Sequence, residues 1–232
     1  FGWTELDGDN TFFAPYSIES ILDEFTKAPP ILEKGRMVHK RPLAEAEILD
    51  FKRPIGPLIT HCIIHSELAT FPISFKDKKI KNLCFRAGFP KEFEDKIKFL
   101  IDIGLASTEP IWVKGVKIVP RDVLVKVINS IPKPKKRTKE IEDLKVELIG
   151  KKDGKKKIVK LDCIVKTKKG WEKFGSDIDT GMPISIVAQM IVKGIIKNKG
   201  VLPPEVAVPQ LEFFKELRKR GMHIYLNNKE IL

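Results

Sequence analysis

A pair of strands joined by a tight turn constrains the fold of this chain more than any other feature of its sequence. In DLKVELIGKKDGKKKIVKLDCIV, residues 143–165, Val146 and Leu148 alternate with polar residues before the turn, and apolar residues resume at Ile158 after it. Asp153-Gly154 between the two runs is typical of the two-residue turn of a β-hairpin. We therefore expect antiparallel pairing here.

Other segments predict further hairpins, strands and helices. Helical spacing of Ile18, Ile21, Leu22 and Phe25 predicts a helix capped by Ser17. Lys34-Gly35 predicts a second hairpin turn. PLITHCIIH, residues 57–65, is almost continuously apolar and predicts a central strand, followed by a loop, HSELATFP.

The rest of the chain continues this mixture. We predict a strand in KNLCFRAGF (81–89), helices opened by Pro90, by Pro120 and by Thr180 with Pro183, short strands around Lys114-Gly115, and a last helix closed by Gly221 before a strand, MHIYL (222–226). The predicted class is α+β, with a mixed, largely antiparallel sheet covered by helices. We expect one domain over residues 1–232 with a small helical insertion around 90–140.

Composition limits the classes of protein and partner. The chain has 232 residues and no apolar run long enough to cross a membrane. Its net charge of +12 raises nucleic acid as a partner, but lysines alternate with acids, as is typical of solvated helix faces and of heat-adapted proteins. We therefore expect no specific nucleic acid partner and no membrane partner. The densest basic run, Lys133–Lys139, predicts an exposed linker.

The cysteines predict a reduced, cytoplasmic protein without a metal site. Cys62, Cys84 and Cys163 lie in apolar, strand-like segments, which favours buried free thiols. His61 and His65 flank Cys62, but on a strand they would lie roughly 13 Å apart, too far to share a metal ion.

Nucleotide-binding and hydrolase motifs are missing from the sequence. It contains no G-x-G-x-x-G after a strand, no G-x-x-x-x-G-K-[ST], no G-x-S-x-G and no H-E-x-x-H. We therefore expect the chain by itself not to bind a dinucleotide in the usual way. The chain begins at Phe1, and we expect it to be cut from a longer protein.

Polar residues directly after the most apolar strand are the first candidate site. In HSELAT, His65 could exchange a proton, Glu67 could hold an ammonium group, and Ser66 and Thr70 could donate hydrogen bonds to a carboxylate. A loop fixed by a rigid strand is a common position for such groups. The alternative is a polar loop whose side chains only cap a turn.

Further candidates lie elsewhere in the chain, each with a structural alternative. Asp177, Thr180 and Gly181 lead into a predicted helix whose amides could seat a carboxylate, although Asp179 or Thr180 could simply cap it.

Tyr16 and Ser17 could be a cap or a pocket wall. Arg86 could bind a substrate carboxylate or form a structural ion pair.

The order of these segments resembles the substrate domain of saccharopine dehydrogenase-like proteins. The resemblance runs over Tyr16-Ser17, ILEKGRMV, HSELATFP, NLCFRAGFP and KFLIDIGLASTEPIWVKGVKIVPRDVL, and ends with TGMPISIVAQMIVKGIIKNKGVLPPE and LEFFKELRKRG. It covers nearly the whole chain and implies a fold like the C-terminal domain of glyceraldehyde-3-phosphate dehydrogenase. It also implies a missing N-terminal Rossmann domain that binds NAD or NADP.

In that family the second domain closes over a small amino-acid substrate and supports a homodimer through its sheet. Hydride passes between the nicotinamide and the carbon of an amine or imine, with lysine, saccharopine or polyamine precursors as substrates. The resemblance implies that His65, Ser66, Glu67 and Thr70 face the cleft, that Tyr16 and Ser17 enter it, and that Thr180 and Gly181 lie near it.

This sequence departs from some members of the family, which carry arginine directly before the aromatic-proline pair. Here Gly88 precedes Phe89-Pro90, and Arg86 would replace that arginine only loosely. Two alternatives to a catalytic dehydrogenase remain: a basic module that binds nucleic acid or protein, and a dehydrogenase-like domain that has lost catalysis. The exact substrate and the choice of NAD or NADP depend on the missing domain.

Overall fold

Strands and helices are interspersed along the chain in a computed structural model that describes residues 1–6, 12–132, 139–175 and 177–231. The strands, in chain order, are β1 (Gly2–Glu5), β2 (Pro30–Glu33), β3 (Arg36–His39), β4 (Glu47–Asp50), β5 (Pro57–Cys62), β6 (Arg86–Gly88), β7 (Ile111–Val113), β8 (Val116–Ile118), β9 (Glu140–Lys152), β10 (Lys155–Lys166), β11 (His223–Leu226) and β12 (Lys229–Glu230). The α-helices are α1 (Ile18–Thr26), α2 (Glu67–Ser74), α3 (Lys91–Asp102), α4 (Pro120–Asn129), α5 (Ile178–Val192), α6 (Pro204–Ala207) and α7 (Gln210–Lys219).

Contacts within the chain define two compact units. The first unit contains Phe1–Gly8, Asp50–Pro57 and Thr138–Leu232, and the second contains Asp9–Leu49 and Leu58–Arg137. Both units combine antiparallel strands with helices, which confirms the predicted α+β class. The prediction of a single domain over residues 1–232 remains a prediction.

The long hairpin predicted from the sequence is the centre of the first unit. Strands β9 and β10 pair antiparallel from Lys155↔Lys152 to Lys166↔Ile141. Asp153 and Gly154 both have positive φ, 52° and 74°, as a type I′ turn requires. The predicted hairpin and its turn are confirmed.

The sheet of the first unit runs in the order β12-β11-β10-β9-β1. Helix α7 packs against α5 and β11. Helix α5 presents an apolar residue every four positions, which places these side chains in one stripe. The core contains Val165, Ile178, Met182, Ile186, Met190, Leu217, Met222 and Ile224. The other face of α5 is open, with Val192 87% exposed, so α5 is covered on one side only.

The second unit contains strands in the order β6-β5-β4, with β5 between its neighbours as predicted. Helix α1 packs against α3 and α4 through the apolar stripe that its spacing predicts. Arg121 of α4 reinforces this packing because its guanidinium donates to Asp23 Oδ1 (2.6 Å) and to Thr26 Oγ1 (2.9 Å) of α1. The hairpin β2–β3 forms around Lys34-Gly35 as predicted.

The region of the predicted insertion contains α3, the hairpin β7–β8 and α4. Helix α3 follows Pro90, and Gly104, with a φ of 81°, lies just beyond its C-terminal cap as expected. The hairpin turn is Lys114-Gly115 as expected. Of the predicted linker Lys133–Lys139, residues 133–138 lie outside the described residues.

Two predictions about secondary structure are wrong. The segment HSELATFP is not a loop, because residues from Glu67 onward form α2 despite Pro72 within it. Burial of Leu68, only 3% exposed, stabilises a helix that the proline disfavours. The predicted strand 81–89 is shorter, because regular pairing covers only Arg86–Gly88 and Leu83 adds an isolated bridge to Leu32.

None of the helices in the described ranges combines the length and apolar character needed to cross a membrane.

Candidate functional site

Tyr16 and Ser17 lead into helix α1 in the second unit. The hydroxyl of Ser17 accepts a 3.4 Å hydrogen bond from the amide of Ser20, so Ser17 is the N-cap. The ring of Tyr16 lies 6.3 Å from that of buried Phe89, and its hydroxyl donates to Glu24 Oε2 at 2.5 Å. The sequence left open whether Ser17 is a helix cap or part of a pocket wall, and the structure shows the helix cap.

Glu24 was not identified by the sequence analysis, although its pKa is shifted far from the ordinary value. Burial raises its pKa to about 7, although the hydroxyl of Tyr16 and the neighbouring imidazole of His65 lower it in part. Its position offered one signal, because it follows Ile21 by three residues and precedes Phe25, and so borders the buried stripe of α1.

His65, Ser66 and Glu67 form one hydrogen-bonded group at the start of α2. Nδ1 of His65 and the hydroxyl of Ser66 both donate to Oε2 of Glu67, the latter at 3.3 Å. The His65 ring stacks on Phe85, with 3.6 Å between centroids and 6° between planes. Burial alone would raise the pKa of Glu67, but the hydrogen bonds from His65 and Ser66 lower it overall. Glu67 is therefore an anion at neutral pH.

The structure thus brings Tyr16, Glu24, His65 and Glu67 into one electrostatic neighbourhood of the second unit. Thr70 lies one turn after Glu67 in α2 and is half-buried. An ionised carboxylate can bind an ammonium group, and a carboxyl group that titrates near pH 7 can give or take a proton. This neighbourhood is the candidate functional site.

Arg86 is held by groups of the second unit. Its Nη1 donates to the carbonyl of Glu45 at 2.7 Å, and its Nη2 lies 3.1 Å from the Glu47 carboxylate. Its side chain is 16% exposed. The structural ion pair is therefore present, and binding of a substrate carboxylate by Arg86 remains a prediction.

The candidates at the start of α5 belong to the first unit, and the predicted start of this helix is wrong. The helix begins at Ile178 with Asp177 at the N-cap, where its side chain makes no capping hydrogen bond. The amides of Thr180 and Gly181 both donate to the carbonyl of Asp177, at 3.2 and 3.1 Å. These two amides are therefore bonded within the helix start, and Asp179 is not the cap. Binding of a carboxylate near Thr180 and Gly181 remains a prediction. A shared rim for His65, Glu67 and Thr180 remains a prediction.

Buried charges occupy a second cluster, in the first unit. Lys145 contacts Asp162, which is 2% exposed, and Asp143 accepts a 2.9 Å hydrogen bond from the amide of Lys52. Burial and the nearby Asp162 raise the pKa of Asp143. Because every partner lies on β9, β10 or the segment after β4, this cluster joins those segments together.

A cavity of about 660 Å³ also lies in the first unit. None of the described residues that line it is acidic, and none is a predicted site residue. Its basic side chains are Lys52, Arg53, Lys166, Lys168, Lys219, Arg220 and His223. The residues that line the cavity therefore include none of the residues of the candidate site.

Possible metal ligands do not form a site. Among the described residues, no three His, Cys, Asp or Glu side chains are arranged to hold a metal ion. Cys62 is buried and Cys163 is half-buried, but Cys84 is exposed, which corrects the expectation that all three thiols are buried. Cys84 lies two residues before β6, between Leu83, which bridges to Leu32, and Phe85, whose carbonyl accepts from the amide of Ile63.

Solved structures provide one comparison. The fold is similar to that of apo, histidine-tagged saccharopine dehydrogenase (L-Glu forming) from Saccharomyces cerevisiae, with a TM-score of 0.71 and 16% sequence identity. The match covers 100% of this chain and 66% of that protein, so this chain spans slightly less than two thirds of its length. At this identity the similarity concerns the fold.

Protein families provide the second comparison. The family described as the saccharopine dehydrogenase C-terminal domain matches residues 6–222, nearly the whole chain. The match includes both HSELAT and the start of α5. This extent confirms the resemblance seen in the order of the sequence motifs, and the chain belongs to the saccharopine dehydrogenase C-terminal domain family.

Proposed function

We propose that the chain is the substrate-binding domain of an NAD(P)-dependent oxidoreductase acting on the CH–NH group of lysine, saccharopine or a related amino acid. Family membership supports the class of reaction. The observation that carries the proposal is the pairing of an ionised Glu67 with a Glu24 whose pKa is about 7, in one neighbourhood with Tyr16 and His65.

The two carboxyl groups suit different tasks. Glu67 is ionised at neutral pH and would bind the ammonium group of an amino acid, held in place by His65 and Ser66. Glu24 is divided between its two protonation states near pH 7 and would exchange a proton with the reacting nitrogen. Tyr16 would orient Glu24 through their hydrogen bond. Thr70 would donate a hydrogen bond to the substrate's carboxylate, because the hydroxyl of Ser66 is already donated to Glu67.

The residues of this chain do not fit a dinucleotide site of the usual kind. Ile63–Ser66 before α2, Phe89-Pro90 before α3 and Val119 before α4 are short connections without glycine. The longer connection from β10 to α5 contains Gly170 and Gly175, but they do not form a G-x-G-x-x-G motif. We propose that NAD or NADP is bound mainly by a Rossmann domain outside these residues and accepts or donates the hydride there.

The intact protein tests this function. We expect reduction of NAD or NADP with one member of a panel of lysine, saccharopine and polyamine precursors. Glu67→Gln should mainly raise KM, and Glu24→Gln should lower kcat by about 10²-fold or more. Glu19→Gln, an exposed acid on the same helix as Glu24, is the matched control and should behave as wild type.

Two results would contradict parts of the proposal. Failure of every amino acid to bind in calorimetry would remove the substrate-binding role. Binding without turnover of either cofactor would instead indicate a dehydrogenase-like domain that has lost catalysis.

The alternative of a basic nucleic-acid-binding module has less support. Many lysines form ion pairs with nearby acids, as in Lys91–Asp95, Lys160–Glu147 and Lys219–Glu216. Interspersed charge gives a weaker attraction to phosphates than a continuous basic stripe. Retention on DNA that falls with salt no more steeply than for a generic basic protein would agree with this assessment.

We also propose a homodimer formed through the sheet. The outer part of the β9–β10 hairpin exposes apolar side chains, with Leu148 56% and Ile149 65% exposed. Burial against a second copy would remove this apolar area from water. Light scattering should give twice the chain mass for wild type and a monomer for the double variant Leu148→Lys/Ile149→Lys. Lys151→Ala on the same hairpin should remain dimeric, and a monomeric wild type would contradict the proposal.

A further inference from the structure

Two of the three cysteines lie side by side in the second unit. Cys62 ends β5, where it pairs with Arg86 of β6, and Cys84 lies two residues before Arg86. Because side chains two residues apart point to the same side of an extended segment, Cys62, Cys84 and Arg86 share one side. The register therefore makes Cys84 a diagonal neighbour of Cys62 across the two segments, and both thiols are free.

The two thiols differ in exposure and in ionisation. Cys84 is exposed, whereas Cys62 is 2% exposed. A hydrogen bond from Cys62 and the guanidinium of Arg86 together lower the pKa of Cys84 to about 6, against the opposing effect of partial desolvation. The same hydrogen bond, together with burial, raises the pKa of Cys62. At neutral pH the exposed sulfur is therefore the thiolate and the buried sulfur is the thiol.

We propose that Cys84 is a peroxide-reactive thiol and that Cys62 traps its oxidised form as an intramolecular disulfide. The arrangement contains an exposed thiolate stabilised by a cation and a second thiol within contact distance, which are the features of a peroxide-sensitive pair. The inference does not depend on the proposed dehydrogenase activity.

The chemistry balances with a hydroperoxide as the oxidant. The Cys84 thiolate attacks one oxygen of hydrogen peroxide, so the O–O bond breaks, an S–O bond forms, and hydroxide leaves and is protonated to water. The sulfur of Cys62 then attacks the Cys84 sulfenic acid. The S–S bond forms, the S–O bond breaks, and the thiol proton of Cys62 leaves with the hydroxide as a second water. Two sulfurs each lose one electron, and the peroxide gains two.

The third cysteine provides an internal control. Cys163 lies in the first unit, and burial raises its pKa to about 12. In the wild-type chain at pH 7, iodoacetamide should therefore label Cys84 at least about tenfold faster than Cys163, with a pH midpoint near 6 for Cys84. This measurement requires no substitution. Equal labelling rates for the two residues would overturn the proposal.

Peroxide treatment tests the disulfide itself. One equivalent of hydrogen peroxide should reduce the count of free thiols from three to one, and peptide mapping should join Cys62 to Cys84. Cys163→Ser should form the same disulfide. Cys62→Ser should leave a Cys84 sulfenic acid that dimedone captures, and Cys84→Ser should leave Cys62 reduced. Disulfides only between two chains, or accumulation of Cys84 sulfinic acid in wild type, would contradict the role of Cys62.

Discussion

The phenolic hydroxyl of Tyr16 donates a 2.5 Å hydrogen bond to Oε2 of Glu24, eight residues later on helix α1. The bond links the residue before the N-cap to the second turn of the helix. The carboxyl group that accepts it belongs to a half-buried side chain and has a pKa of about 7, compared with an ordinary value of 4.5. The stability of the chain should therefore depend on pH through Glu24.

Glu24→Gln should remove a pH dependence of stability between about pH 4.5 and 7. Because the folded-state pKa is raised, folding favours the protonated form. The stabilising contribution of protonated Glu24 to folding is fully present below pH 4.5 and is lost as the pH rises through about 7. The loss in wild type amounts to roughly 3 kcal/mol and should be absent from the variant. Urea unfolding at pH 4.5, 5.5, 6.5 and 7.5 measures the difference, with Glu19→Gln as the control. Parallel curves for wild type and Glu24→Gln would contradict the assignment.

Tyr16→Phe should raise the pKa of Glu24 further. The hydroxyl stabilises the ionised carboxylate, so its loss leaves the effect of burial less opposed. A carbon-13 NMR titration of the Glu24 carboxyl group measures this shift. Ser17→Ala is the matched control, because it removes the N-cap and lowers stability by about 1 kcal/mol but leaves the Tyr16 hydrogen bond in place. An unchanged or lower Glu24 pKa in Tyr16→Phe would be the contrary result.

The elements that the sequence predicted well are those whose pattern is local. The β9–β10 hairpin follows from alternation on both sides of Asp153-Gly154, and α1 follows from four apolar residues at helical spacing after Ser17. Such patterns depend on chain geometry within a few residues. The family resemblance came from the order of motifs over nearly the whole chain, and the match over residues 6–222 confirms it.

The features that the sequence did not reveal depend on contacts between distant segments. In the sequence, Glu24 looks like any other acid beside an apolar stripe, because its raised pKa depends on the packing around it and on the hydrogen bond from Tyr16. The start of α5 at Ile178, rather than Thr180, depends on the packing of Ile178 in the core of the first unit. Cys84 lies in an apolar segment, and its exposure depends on the packing of other segments around it rather than on that local pattern.

Glu94→Ala should destabilise the second unit strongly. Glu94 Oε1 lies 2.8 Å from Nε2 of His61, and both side chains are 8% exposed. Burial alone would raise the pKa of Glu94, but the hydrogen bonds from His61 and Lys98 lower it overall. The stabilising contribution of ionised Glu94 to folding is therefore present above pH 4.5, its ordinary pKa, and is lost as the pH falls below that value. Removing one partner of a buried pair costs about 3 kcal/mol.

Urea unfolding at pH 7 measures the Glu94→Ala effect. Lys91→Ala on the same helix breaks the exposed Lys91–Asp95 pair and should leave the free energy of unfolding almost unchanged. Equal effects of the two substitutions would show that the His61–Glu94 pair adds nothing beyond a surface ion pair.

Gly88→Ala should destabilise the chain because the backbone of β6 approaches β5 closely. A Cβ atom at position 88 would lie 2.9 Å from Thr60 Cγ2 and 3.1 Å from Leu58 Cβ, both closer than van der Waals contact allows. Gly88 pairs directly with Thr60. The hydroxyl of Thr60 donates a 2.8 Å hydrogen bond to the carbonyl of Glu47, so Thr60 cannot easily move away. We expect a loss of about 1–3 kcal/mol.

Gly150→Ala is the matched control for this glycine, because a Cβ atom at that position of β9 meets nothing within 4 Å. It should leave stability unchanged or raise it slightly, since alanine restricts the unfolded chain more than glycine does. Urea unfolding of both variants gives the comparison. A side chain at position 88 would require Thr60 and Leu58 of β5 to shift, and an unaltered stability of Gly88→Ala would contradict the prediction.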